Sequence, residues 1–165
     1  MKQSQSKLVY DLLKELGIFT DPSSLSKEEL EALYNECNET YFWGKLGKCS
    51  FMYFTKGNST LGWYNARTDK KGRPADRIWF GTCVDWTEEQ IRRIMIHEMV
   101  HMYNHRIEKR RWTGILGHGR CFRKHQRRIK RDFGIDIKKL NDYVFLNKDH
   151  YPKTWEKVLL WIFDR

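Results

Sequence analysis

The run His97-Glu98-Met99-Val100-His101 sets two imidazoles four positions apart with a carboxylate beside the first. On a helix, such positions lie about 6 Å apart along the axis and about 40° apart around it. His97 and His101 can therefore face one ion from the same side. Zinc takes imidazole nitrogens at about 2.0–2.1 Å, and a catalytic zinc site has three protein ligands and one open position. Glu98 projects beside that face, too far displaced to be the third ligand. Its expected role is general base, taking a proton from the water that the ion activates.

The third ligand must come from elsewhere. His105 continues the same ladder but lies about 12 Å along the axis from His97, too far to share a small ion. The metzincin extension needs glycine at position 104 and histidine at 107, where this chain has Asn104 and Ile107. A later glutamate is a poor source, because Glu108 is too near on the same segment and Glu156 lies close to the end. His118 and His125 remain, about 10 Å apart on one helix, so one of them coordinates. His118 stands between Gly117 and Gly119, which permit a sharp turn and close approach. It is the expected ligand, with His125 in reserve and otherwise structural.

These residues need elements to hold them. Thr87 and Gln90 have capping-box spacing, and a helix is predicted over "EEQIRRIMIHEMVHMYNHRI" with Ile91, Ile94, Met95 and Met102 on its buried side. A basic helix is predicted over "HGRCFRKHQRRIKRDFG", anchored by Phe122 and Ile129 and capped by Gly134. Upstream, an amphipathic helix ends at Gly17, and another starts at the capping pair Ser26 and Glu29. Between them and the metal helix lie "KCSFMYFT", "TLGWYNAR" and "DRIWFGTCV", aromatic-rich runs separated by turn residues, read as three strands of a small antiparallel sheet. The tail suggests a strand at "DYVFL" and a helix at "KTWEKVLLWIF". The expectation is one α+β domain over residues 1–165, with its core at about 27–137 and a C-terminal extension at 138–165.

Composition narrows the partners. The chain has 165 residues and a formal net charge of +10. Eleven Lys/Arg and one acid, Glu108, fall between Arg106 and Arg131, so the other residues balance at twenty against twenty. A block of one sign repels itself, and a polyanion relieves that repulsion. Nucleic acid is the favoured partner. The expected contacts are Lys109, Arg110, Arg111, Trp112, Arg120, Arg123, Lys124, Arg127, Arg128, Lys130 and Arg131, with Trp112 able to stack on an unpaired base. Four scattered cysteines without a C-x-x-C pair argue for free thiols in a reducing compartment. Without a signal-peptide pattern or an apolar run of membrane-spanning length, a cytoplasmic, nucleoid or nuclear location and no membrane partner are expected.

"HEMVH" followed by "GHGRCF", with "YFWGKL" upstream of the strand-rich region, resembles the SprT-like, Spartan-related metalloproteases. The likeness covers about residues 27–137. It implies a zincin-like fold, one Zn2+ held by His97, His101 and His118, Glu98 as general base, and proteolysis of DNA-bound or DNA-crosslinked proteins. The loop "MYNHRIEKRRWTGILG" is slightly longer than the family pattern, and no four-Cys ribbon follows the domain. DNA, single-stranded or locally unpaired, is therefore expected on the basic block itself. The strand "RIWFGTC" is either a plain core strand or one that pairs with an extended substrate. The competing reading is a nucleic-acid-binding module whose zinc is structural and which cuts nothing.

Overall fold

Ser26 and Thr87 each accept a hydrogen bond from the backbone three residues on, while Glu29 and Gln90 reach back to the cap N–H. Both capping boxes are thus complete, and they start α1 (Lys27–Phe42) and α2 (Glu88–Arg106). The computed structural model describes residues 11–12, 14–19, 25–54, 61–82, 84–110, 118–138 and 145–146. Residues 11–12 and 14–15 are helical and Gly17 follows at φ +63°, as the N-terminal pattern predicts, although Leu12 and Leu16 stay exposed. The predicted tail helix lies outside the described residues, as do Arg111, Trp112, Gly117 and Cys83.

α2 is buried around most of its circumference. Ile91, Ile94, Met95, Ile96, Met99, Val100 and Met102 are all almost fully enclosed, as expected of a helix placed between other layers. α1 packs on one side through Leu30, Tyr34, Cys37 and Phe42, and Arg92 of α2 pairs with Glu36 of α1. Trp43 caps α1 in the left-handed region, and Asn38 then grips both backbone groups of Leu46 at 3.0 and 3.1 Å. α3 (Arg120–Phe133) buries Phe122, His125 and Ile129 and ends at Gly134, whose φ of +73° suits glycine. Both predicted anchors and the predicted cap are in place.

The sheet comprises β1 (Cys49–Phe54), β2 (Gly62–Asn65) and β3 (Asp76–Gly81) in the order β1-β3-β2. The expected number of strands is found, but the sheet is mixed. β2 and β3 are antiparallel, whereas β1 and β3 run parallel, with Phe51 opposite Ile78. The cause is the apolar character of β3: Ile78 and Phe80 are completely buried, so β3 takes the central place and separates β1 from β2. "DRIWFGTCV" also ends earlier than predicted. β4 (Val84–Asp85) leaves this sheet to pair with β5 (Phe145–Leu146), which lies within the predicted "DYVFL" strand. The result is an α+β arrangement with α2 laid against β2 and β3 and flanked by α1 and α3.

Candidate metal centre

α2 presents His97 and His101 on one face, and His118, two residues before the start of α3, meets them. The Nε2 atoms of His97 and His118 are 3.0 Å apart, and those of His101 and His118 are 3.2 Å apart. Among the described residues, His97, His101 and His118 form the group of metal-ligating types whose ligand atoms all lie within 4.8 Å of one another. Three nitrogens bound tetrahedrally at zinc distances would stand about 3.3 Å apart, so the donor set fits one such ion. At this spacing either His118 donates an Nε2–H to a neighbouring imidazole or a cation lies between the lone pairs.

The protonation states favour the same reading. Burial pushes His97 down to about 4 and His101 down to about 3, and lowers His118 as well. All three are neutral near pH 7. His97 Nδ1 lies 3.1 Å from the carbonyl oxygen of Ile137, so the proton belongs on Nδ1 and Nε2 keeps its lone pair. The ring of Phe122 lies 4.8, 4.7 and 4.5 Å from the rings of His97, His101 and His118 respectively, backing all three.

Glu98 leaves the imidazole face and enters the seam between α2 and β2. It is 4% exposed, and burial raises its carboxyl to about 8 against a hydrogen bond from the backbone N–H of Tyr64. A desolvated carboxyl beside three converging imidazoles is a functional-site signature. β2 comes close here because position 62 is glycine. A Cβ at Gly62 would stand 2.9 Å from both Ile94 Cγ2 and the Trp79 carbonyl, and 3.5 Å from Glu98 Oε1.

The other histidines are engaged elsewhere. His125, the reserve ligand, lies 2.9 Å from Glu108 and against the ring of Tyr103, which gives it a structural place. His105 approaches the Tyr64 hydroxyl at 3.4 Å. Of the two glycines beside His118, Gly119 has an ordinary extended backbone at φ −68°, and Gly117 lies outside the described residues. Sequence reasoning left the supports of the imidazoles unnamed. Phe122 was visible only as a helix anchor, and a backbone carbonyl such as that of Ile137 carries no side-chain signature.

A model of the SprT-like family matches residues 30–144 of the 165. The chain belongs to the SprT-like family. No curated protein matches it in a comparison of whole sequences. The SprT-like match takes in all three imidazoles, Glu98, Phe122 and Ile137, so the family assignment and the geometry concern the same residues.

The basic block divides on folding. Arg128 is half-buried, bonds to the Tyr41 carbonyl and lies 4.3 Å over the Trp43 ring, so part of its side chain is engaged within the fold. Lys124, Lys130 and Arg131 pair with Glu108, Asp136 and Asp132 while remaining exposed. Arg110, Arg120, Arg123, Lys124 and Arg127 line a groove of about 830 Å³ together with Glu108. Lys109 is exposed beside it, in the left-handed region at φ +53°. Cys37, Cys49 and Cys121 are free thiols. Among the described residues, no helix is long and apolar enough to cross a membrane.

Proposed function

We propose that this SprT-like protein is a zinc-dependent endopeptidase, working at DNA on proteins bound or crosslinked to it. The observation that carries the peptidase reading is the convergence of three neutral imidazoles beside the buried carboxyl of Glu98. Zinc held by His97, His101 and His118 would supply Lewis-acid polarisation of a peptide carbonyl and activation of water. The Ile137 carbonyl fixes the ring of His97, and Phe122 fixes all three rings from behind. The charge of a bound ion would bring the Glu98 carboxyl down from its metal-free value of about 8, so that it can accept the proton of the attacking water and deliver it to the leaving amine.

Of the two readings of "RIWFGTC", the core strand holds. β3, which includes most of "RIWFGTC", has β1 on one side and β2 on the other, so its edges are taken. The edge beside Glu98 belongs to β2. An extended polypeptide pairing there would be held mainly through its backbone, giving loose sequence preference.

Support for DNA as the partner comes from the groove of Arg110, Arg120, Arg123, Lys124 and Arg127, which continues from the segment that provides His118. In α3 the exposed cations recur at 120, 123, 124, 127, 130 and 131, a stripe about 16 Å long on the side opposite Ile129. Such a surface holds phosphates without reading bases. A DNA-containing compartment, cytoplasmic or nuclear, suits both this charge and the free thiols.

The test is to incubate zinc-loaded protein with a basic DNA-binding protein, with and without single- or double-stranded DNA, beside Glu98→Gln. Cleavage should depend on DNA and fall about 10²–10⁴-fold in the variant, with zinc retained. Bound zinc and bound DNA without cleavage would establish the structural-zinc reading instead. DNA affinity that stays flat from low to moderate salt would remove the phosphate account.

A further inference from the structure

We propose that Tyr64, Asp76 and Arg106 form a clamp that positions the Glu98 carboxylate by fixing β2 against α2. The clamp's role in catalysis rests on the peptidase reading, but its effect on the strand can be measured without it.

Asp76 opens β3 and is 1% exposed. Its carboxylate accepts the Tyr64 hydroxyl at 2.8 Å and a two-pronged bond from Arg106, through Nε at 2.8 Å and a terminal guanidinium nitrogen at 2.7 Å. The same terminal nitrogen donates to the Arg67 carbonyl at 2.7 Å, just beyond the end of β2. A buried carboxylate is tolerated when its charge and lone pairs are both matched, and a planar guanidinium provides that match with a fixed direction. The cluster therefore holds one geometry.

That geometry reaches Glu98 through β2. Tyr64 ties the strand to Asp76 by its hydroxyl, and two residues earlier the backbone at Gly62 runs so close to Glu98 that a Cβ there would stand 3.5 Å from Oε1. Arg106 is the last residue of α2, about 12 Å along the helix from Glu98. β2 is thus pinned to the helix that carries Glu98 by close packing of Gly62 on Ile94 at one end and by Arg106 at the other. The stretch of β2 that lies beside Glu98 runs between these two fixed points. Tyr64, Asp76 and Arg106 are positioning residues, since the link to Glu98 runs through the strand backbone.

The test is Tyr64→Phe in the full zinc-loaded chain, which keeps the ring and removes the hydroxyl. kcat should fall about tenfold to a hundredfold, in the range a misplaced catalytic group costs, with KM and zinc affinity unchanged. Amide hydrogen exchange at position 64 should speed up while that of Ile78, on the central strand, holds. Arg106→Lys keeps the charge without the fork, and should fall between wild type and Tyr64→Phe in both readouts. Wild-type exchange at position 64 in both variants would overturn the proposal, as would equal acceleration at 64 and 78, which signals general loosening. If wild type cleaves nothing, the peptidase reading fails, and the exchange data alone still decide whether the clamp holds β2.

Discussion

His118 and His125 lie seven residues apart in one basic segment, and their surroundings give them opposite tasks. His118 is exposed and its Nε2 meets those of His97 and His101, while His125 is 4% exposed and engaged with Glu108. His118→Ala should therefore weaken zinc binding at least about 100-fold, more than loss of an outer partner usually costs. His125→Ala should leave zinc affinity near wild type and destabilise the fold by about 1–3 kcal/mol, by stripping Glu108 of its buried partner. Competition with a chromogenic chelator and thermal melts separate the two; weakened zinc binding in His125→Ala alone would reverse the ligand assignment. The i, i+4 pair and the adjacent glutamate were legible because helical periodicity fixes which side chains share a face. Elimination then left two histidines for the third place. The tertiary support was not legible, because the Ile137 carbonyl is forty residues from His97 in sequence and is a group every residue has.

Helices and sheet differ in how much of their arrangement is local. Both capping boxes, the Gly134 cap and the anchors Phe122 and Ile129 are encoded within a few residues of where they act, and they appear as expected. Strand order is a competition between distant segments. β3 wins the centre because Ile78 and Phe80 need cover on the helix-facing side and partners at both edges, and this makes β1 and β3 parallel. The same outcome makes "RIWFGTC" a core strand and leaves the free edge near Glu98 to β2. Gly62 is where β2 meets α2, and it tests that contact. A methyl group there would meet Ile94 Cγ2 and the Trp79 carbonyl at 2.9 Å, and the carbonyl belongs to the central strand and cannot turn aside. Gly62→Ala should cost about 1–3 kcal/mol by overpacking, with β2 displaced from the helix. Denaturant titration gives the energy. A variant as stable as wild type would show that β2 has slack at this point, which would also weaken the clamp.

Across the whole molecule, burial acts on the ionisable groups in two directions, and pH separates them. An unfolded histidine titrates near 6.5, as a model peptide does. In the fold, burial holds His97 at about 4 and His101 at about 3, and lowers His105, His118 and His125 as well. Below about pH 6.5 the unfolded chain takes up protons that the folded chain refuses, so stability falls as pH drops toward the folded values. Glu108 adds to this loss: burial alone would raise its carboxyl, but His125 and Lys124 outweigh burial and hold it below the usual range, so its contribution disappears as pH falls through the folded value. Glu98 works the other way. Its folded value of about 8 lies above the unfolded one of 4.5, so its contribution is complete below that value, is lost progressively up to about pH 8 and partly offsets the histidines in acid. Five depressed histidines against one raised carboxyl make the acid side steeper. Metal-free protein should therefore be most stable near neutrality, with Tm dropping sharply between pH 6.5 and 4 and only slightly toward pH 9. Zinc should steepen the acid limb, because an ion that binds only the folded chain adds stability at neutral pH and is displaced by protons in acid. Melts across that range with and without zinc check both statements. A Tm that holds from neutrality to pH 4 without metal would mean that His97 and His101 are open to water, and their burial in the three-histidine centre would then be wrong.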